Sequence, residues 1–412
     1  MFGMLNVVGI ARACFLGTAL LGCVVVGLAQ QPELQQRGAP QLTSRPPAKQ
    51  SDESNSVVLD VQVEDALGRP VTGLQPKDFS VTDNLQPVKI ATFSDGVAGT
   101  DAAEIIFVFD ALSSSFEDVA RAKQQLSGFL RKDGGRLAHP VTIVWLEKAG
   151  AKGGKAKALA QGVISIQKGA AFLHVITEST DGVALAKELD ASDILVSGSL
   201  AAQGVSSAGV RLSLQALEVL VSGSAARPAR KMLIWMSPGW PLLSQPDAKM
   251  REQLFQYVVY LYSEMRRARV TLYAVNPGGV STAFDTDGPI FRSANPLQQK
   301  VMNYSQMDAP PAESSYSAFL KSPLNVRQVG PNAVSLQVLA AQTGGLVLQQ
   351  SNDISAGIAR CVADADAFYS LSYATPVAKD ANEYHATQVK VDRRAVSVRT
   401  RTGYYAQPTG TH

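Results

Sequence analysis

Along the chain the spacing of apolar positions changes twice, and each change marks a change of architecture. From Ser56 the residues Val57, Leu59, Val61 and Val63 alternate with Val58, Asp60, Gln62 and Glu64, which predicts a strand with one buried face. Gly68-Arg69-Pro70 reads as a turn, and Phe79 to Thr82 and Val88 to Ile90 read as short strands around Asp83-Asn84, so residues 56–97 are expected to form a small antiparallel β unit. Beyond Ala102 the period switches. The unbroken run Glu104 to Asp110 reads as a buried strand, and Phe116, Val119, Leu126 and Phe129 fall on one helical face. Further strands are expected at Val141 to Leu146, Met232 to Met236 and Val270 to Val275. Val210, Leu214, Leu217 and Val221, then Leu254, Val258, Leu261 and Met265, repeat at helical spacing, and a last helix near Val334 to Ala341 precedes a strand at Leu346 to Leu348. Strand and helix in alternation predict an α/β domain with a doubly wound, mainly parallel sheet over 103–366. The proline- and glycine-rich stretch 276–331 interrupts it as a long loop insertion. Alternation returns at Phe368 to Tyr373, Ala386 to Val391 and Ala395 to Arg399, so 367–406 is expected to form a second β unit packed with 56–97 in one sandwich.

Outside these segments the composition sets the setting. Met1 to Ala29 carries only Arg12 as a charge before a long apolar run, which reads as a secretory signal cleaved near Gly27-Leu28-Ala29. A lipidated Cys23, after Leu20-Leu21-Gly22, and an uncleaved anchor are the other readings of the same run. Residues 30–55 are rich in Gln, Pro, Ser and Lys and read as a disordered tether. The chain is therefore expected to be exported, to the periplasm, the envelope or the medium, with no membrane span once mature. Cys14 and Cys23 fall in the leader, leaving Cys361 alone and an intrachain disulfide excluded. Losing Arg12 lowers the formal charge from +3 to +2, too small an excess to imply nucleic acid as a partner.

Ligands on open α/β sheets gather at the carboxyl ends of strands, so Asp110 and Ser113 to Ser115 stand where a site would be built. Trp145 and Trp235 lie inside strand runs and read as packing. Trp240, between Gly239 and Pro241 beyond a strand end, is a candidate contact residue. Enzyme readings are incomplete. Gly204-Val205-Ser206-Ser207-Ala208 is one residue from a nucleophile elbow, but no apolar strand runs into it, and His385, the base it would need, reads as a solvated position of an alternating strand. The basic loop Lys148 to Lys157 lacks the glycine and hydroxyl positions of a phosphate loop and reads as an exposed hairpin tip.

The ordered set VVLDVQVEDALGRPVTGLQPKDFSVTDNLQPVKIATFS, EIIFVFDALSS, RKMLIWMSPGWP, RRARVTLYAVNP, LAAQTGGL, YSLSYATPVAKDANEYHATQVKV and RTRTGYY resembles the von Willebrand factor A-like proteins, in particular the exported VWFA-related group of Acidobacteria. The resemblance spans residues 56–406 and implies a divalent cation held by an Asp-x-Ser-x-Ser loop, a threonine on a second loop and an aspartate at a third strand end, with a partner's acidic side chain completing the coordination. In this chain Asp110 and Ser114 match the first loop, Leu112 replaces its first serine, Ser237 stands where the third-strand aspartate belongs, and the second loop offers only Ser206 or Ser207. One carboxylate with scattered hydroxyls falls short of the charge and ligand number that Mg²⁺ takes. No cofactor is expected, and Asp110 and Ser114 are the residual candidates for Mg²⁺; otherwise Asp110 is expected to cap the following helix or to accept backbone hydrogen bonds. The expected function is an exported non-catalytic adhesion module that binds a protein or a cell-surface polymer through Asp110, Ser113, Ser114, Ser237 and Trp240. The alternative is a divergent serine-dependent hydrolase of the envelope.

Overall fold

In the computed structural model, described for residues 56–96, 103–149, 162–196, 207–240, 246–278, 319–330, 332–348 and 353–408, the buried run Glu104–Asp110 (β5) lies inside a seven-stranded sheet. Its neighbours are Arg136–Lys148 (β6) and Lys231–Met236 (β9), both parallel to it; Val270–Val275 (β10) and Val347–Leu348 (β11) continue the parallel half. Beyond β6 the sheet is mixed. Ala171–Asp181 (β8) runs antiparallel to β6, and Val163–Ile166 (β7) pairs antiparallel with β8 at the edge. Period-2 parity sorts the strand side chains into two cores. Ile106, Val108, Leu233 and Trp235 face Ser207–Ser224 (α3), Ala248–Arg267 (α4) and Leu336–Gln342 (α5). Ile105, Phe107, Ile234 and Tyr273 face Phe116–Leu130 (α1), Gly182–Ala191 (α2) and Ile354–Asp366 (α6). Helices thus cover both faces, and Cys361 is buried on the second. Burial first, and then the nearby charge of Asp364, push the Cys361 thiol far above its ordinary pKa.

Two four-stranded antiparallel sheets are built from both ends of the described chain. One has the order Val396–Arg399 (β14), Ser56–Asp65 (β1), Tyr369–Ala374 (β12), Ile90–Asp95 (β4); the other has Gly403–Ala406 (β15), Glu383–Val391 (β13), Phe79–Asp83 (β2), Gln86–Val88 (β3). Val57, Leu59, Leu371 and Tyr373 of the first sheet share a core with Phe79, Val81 and Tyr404 of the second. Asn84 and Leu85 both adopt positive φ, 47° and 66°, the geometry of a two-residue hairpin between β2 and β3. At the seam between these sheets and the larger one, Gly344 is required twice over. Its φ is +85°, and a Cβ there would sit 2.6 Å from the Thr400 carbonyl carbon.

His385 corrects the sequence expectation of a solvated strand position. It is buried, its Nδ1 lies 2.6 Å from Asp83 Oδ1, and it stacks on Tyr404. Asp83 also accepts from the hydroxyls of Tyr373 and Tyr404, at 3.0 and 2.7 Å, so the inward face of β13 is polar because it meets a polar hub. Phe116, expected on the core face of α1, is 68% exposed. Helical side chains lean toward the amino terminus, and the first residue of a helix has no preceding turn beneath it to cover. Residues 1–55, for which a leader and a tether are expected, most of the basic loop after Lys148, Ser206 and residues 279–318 of the expected insertion lie outside the described residues. Among those described, no helix is long and apolar enough to cross a membrane.

Candidate functional site

The strand-end cluster follows from the parity of β5. Asp110 shares its side of the strand with Ile106 and Val108, so its side chain turns into the core beneath α3 and is fully buried. Its Oδ2 accepts from Ser213 Oγ of α3 at 2.9 Å, from the indole Nε1 of Trp235 at 3.1 Å and from that of Trp240 at 3.0 Å. Oδ1 accepts from the backbone amide of Leu112 at 3.1 Å. Four donors, none of them a full charge, surround one carboxyl group. The two indoles meet edge to face, with centroids 5.4 Å apart and planes at 88°, which lets both N–H groups aim at one oxygen.

Gly239 is what returns Trp240 to this position. Its φ is +110°, and a Cβ there would sit 2.2 Å from Nε2 of the buried Gln337. The left-handed backbone there favours glycine, a side chain would also have to displace the Gln337 amide, and the indole that follows is folded inward. Ser113 and Ser237 share a 3.1 Å hydroxyl hydrogen bond, and Ser237 Oγ also accepts from the Gly239 amide at 3.0 Å. Together these contacts tie the β5–α1 loop to the chain leaving β9. Ser114 Oγ is buried without a hydrogen-bond partner. Of the two roles expected of Asp110, it accepts a backbone hydrogen bond, from Leu112, whereas the helix cap belongs to Ser115, whose Oγ accepts from the Asp118 amide at 3.1 Å while Asp118 Oδ2 accepts from the Ser115 amide at 3.4 Å.

The five residues expected to meet a ligand, Asp110, Ser113, Ser114, Ser237 and Trp240, are therefore brought together, and all five are buried. What the strand-end loop presents to solvent is Phe116, immediately after the capping serine, with Glu117 beside it. Sequence reasoning missed it by assigning it to the core; its place directly after an N-cap serine was the available signal. It also missed Ser213 and Trp235 as partners of Asp110, because nothing local links them. Among the described residues no group of three or more His, Cys, Asp or Glu side chains is placed to hold a metal ion. His385 sits in the sandwich with Asp83, and no serine hydroxyl is described within hydrogen-bond reach of its ring.

No family model and no curated protein matches the chain. Among solved structures it is similar to the pilus adhesin SpaC from Lactobacillus rhamnosus GG in its open conformation, with a TM-score of 0.34 and 9% identity over 82% of this chain and 49% of the adhesin. It is similar also to the human COPII-coat protein Sec24c, with a TM-score of 0.31 and 10% identity over 75% of this chain and 44% of that one. The chain thus spans about half the length of each. Likeness at that level carries no argument about fold or function, so the reading of the site rests on its own geometry.

Proposed function

We propose that the chain is an exported, non-catalytic interaction module of the von Willebrand factor A-like kind, with a doubly wound domain, that binds a protein or a cell-surface polymer at the carboxyl-end face of its larger sheet. The observation that carries this reading is the state of Asp110. Its two oxygens are engaged by Ser213, Trp235, Trp240 and the Leu112 amide, three of these donors meeting on Oδ2. In this reading the carboxyl group serves to fix the loops around it. Next to those loops Phe116 stands as an exposed aromatic at the start of a capped helix, the kind of side chain that anchors interfaces. The resident cation of the resembling family has no role in this reading.

The test is capture from a cell-envelope extract by immobilised chain 30–412, with and without EDTA, compared with the Phe116→Ala variant. Retention of the same partner in EDTA, lost with Phe116→Ala, supports the reading. Capture that needs Mg²⁺, or turnover of ester or peptide substrates that Ser206→Ala abolishes, contradicts it.

A further inference from the structure

The side of α1 that carries Phe116 leads into a recess. Phe116, Ala120, Gln124 and Gly128 follow at intervals of four, so they form one ridge of the helix, and all four are exposed. Beyond Phe116 the ridge borders an open cavity of about 480 Å³ between α1 and α2, lined by Ala120, Gln124 and Gly128 with Lys123, Arg131 and Asp190. Two cations span its walls. Lys123 Nζ donates to the backbone carbonyls of Asp190 and Ser192 at 3.1 and 2.5 Å, and Arg131 donates to the Asp190 carboxylate at 2.6 Å and to the Ser127 carbonyl at 3.2 Å. A Cβ added at Gly128 would meet nothing within 4 Å, so the floor is open. One helix thus carries a protruding aromatic at its first residue and a recess toward its last turn. Its charges divide the same way: Glu117 and Asp118 lie in the first turn, and Arg131 and Lys132 follow the last residue. Glu117 is exposed and forms no ion pair among the described residues, while the bond to Ser127 draws the Arg131 guanidinium back alongside the recess.

We infer that α1 is a self-association surface, on which a second copy of this chain docks antiparallel about a two-fold axis. The inference rests on the reading of Phe116 as an interface anchor and names its partner. A two-fold contact matches one surface with itself, so what stands at one end of α1 must fit what stands at the other. Antiparallel docking seats the Phe116 ring of each copy in the recess of the other, between Lys123 and Arg131, cations that favour the face of an aromatic ring. It also sets Glu117 against the Arg131 of the second copy at the rim, and Ala120, near the axis, lets the helices approach. Parallel docking would set Phe116 on Phe116 and Glu117 on Glu117 and leave both recesses empty. A single helix pair buries less than a standard interface, so the dimer is weak and reversible.

The experiment is sedimentation velocity of chain 30–412 over a concentration series, with bismaleimide cross-linking of the Ala120→Cys variant to read the geometry. Cys361 is buried and does not compete for the reagent. A monomer–dimer equilibrium is expected, in which Ala120→Cys cross-links to itself. Phe116→Ala and Gly128→Gln should each weaken association about tenfold or more. Gly128→Gln fills the recess without a clash and puts a better helix former in a helix interior, so it keeps the fold intact while it blocks the ring. Dimerisation lost in both variants upholds the inference even where no other protein is captured from the envelope extract, a result that would count against the envelope partner alone. A chain that stays monomeric at every concentration overturns it, and an unreactive Ala120→Cys thiol would then show that a segment of the same chain covers the recess. Monomers that still capture an envelope protein through Phe116 overturn the second copy and leave the interaction module standing. A dimer indifferent to both variants places the contact elsewhere and equally overturns it.

Discussion

Asp110 and Asp364 are both buried carboxyl groups on the larger domain, and they are satisfied by opposite means. Asp364 sits in a charged web: Arg399 grips both its oxygens, Tyr273 donates to Oδ2 at 2.7 Å, and Arg230 donates to its backbone carbonyl at 2.7 Å and to the Tyr273 hydroxyl at 3.0 Å. Burial lowers the pKa of the Arg399 guanidinium, but the hydrogen bond and charge of Asp364, with Tyr273 and Glu64, together outweigh it and hold the group above its usual value. Asp110 has neutral donors only. The first arrangement joins two structural units, because Arg399 and Glu64 come from the sandwich and Asp364 from α6. The second joins loops at one end of one sheet. Charge pairing therefore sits where large pieces must be held in register, and neutral donors sit where a surface is to be shaped without a free charge.

Breaking the charged web should have the largest effect. Removing one partner of a buried ion pair strands the other, so Arg399→Met or Asp364→Ala is expected to destabilise the chain by about 3–5 kcal/mol, read as a lowered urea midpoint. The double variant Arg399→Met with Asp364→Leu should recover part of that loss; a double variant as unstable as the sum of the singles would deny the coupling.

At Asp110 the expected effects are smaller. Trp240→Phe keeps a ring in the core and removes one of four donors, so a loss of about 1–2 kcal/mol is expected in the same assay. Trp235→Phe should behave alike. If neither variant moves the midpoint, the indole contacts do not hold the loops.

The comparison also separates what the sequence discloses from what it hides. The strands at 57–63, 232–236 and 270–275 were legible because the first alternates apolar and polar positions and the other two are almost continuously apolar; the expected outward face of the first holds only as far as Asp60, since Gln62 and Glu64 are buried at the seam. The strand–strand–helix run from Val163 to Ala191 was not. β8 ends in the polar stretch ESTD and β7 is four residues long, so neither carries a clear period. Asp110 was correctly placed at a strand end, and its parity with Ile106 and Val108 already implied an inward side chain. Its partners Ser213, Trp235 and Trp240 lie more than a hundred positions away, and long-range pairing leaves no local trace. The charged web was hidden for the same reason, since Glu64 and Arg399 meet only when the two ends of the chain pair.

Phe116 should show almost no stability effect. An exposed position outside the core predicts a change within about 0.5 kcal/mol for Phe116→Ala, while binding at the strand-end face should fall about tenfold or more. Cys361 offers a control on the whole frame. With its thiol buried and its pKa pushed up, it should resist thiol reagents between pH 7 and 9 in the folded chain and react fully in denaturant. Rapid native labelling would mean that α6 does not pack as described.

The role assigned to Asp110 is tested most directly by titrating Mg²⁺, Mn²⁺ or Ca²⁺ to millimolar levels while following the melting temperature. With Oδ1 and Oδ2 engaged by the Leu112 amide, Ser213 and two indoles, no saturable shift is expected from any of the three ions, and Asp110→Asn should respond as the unaltered chain does. A saturable rise in the unaltered chain that Asp110→Asn abolishes would make Asp110 a working cation ligand and would contradict the account.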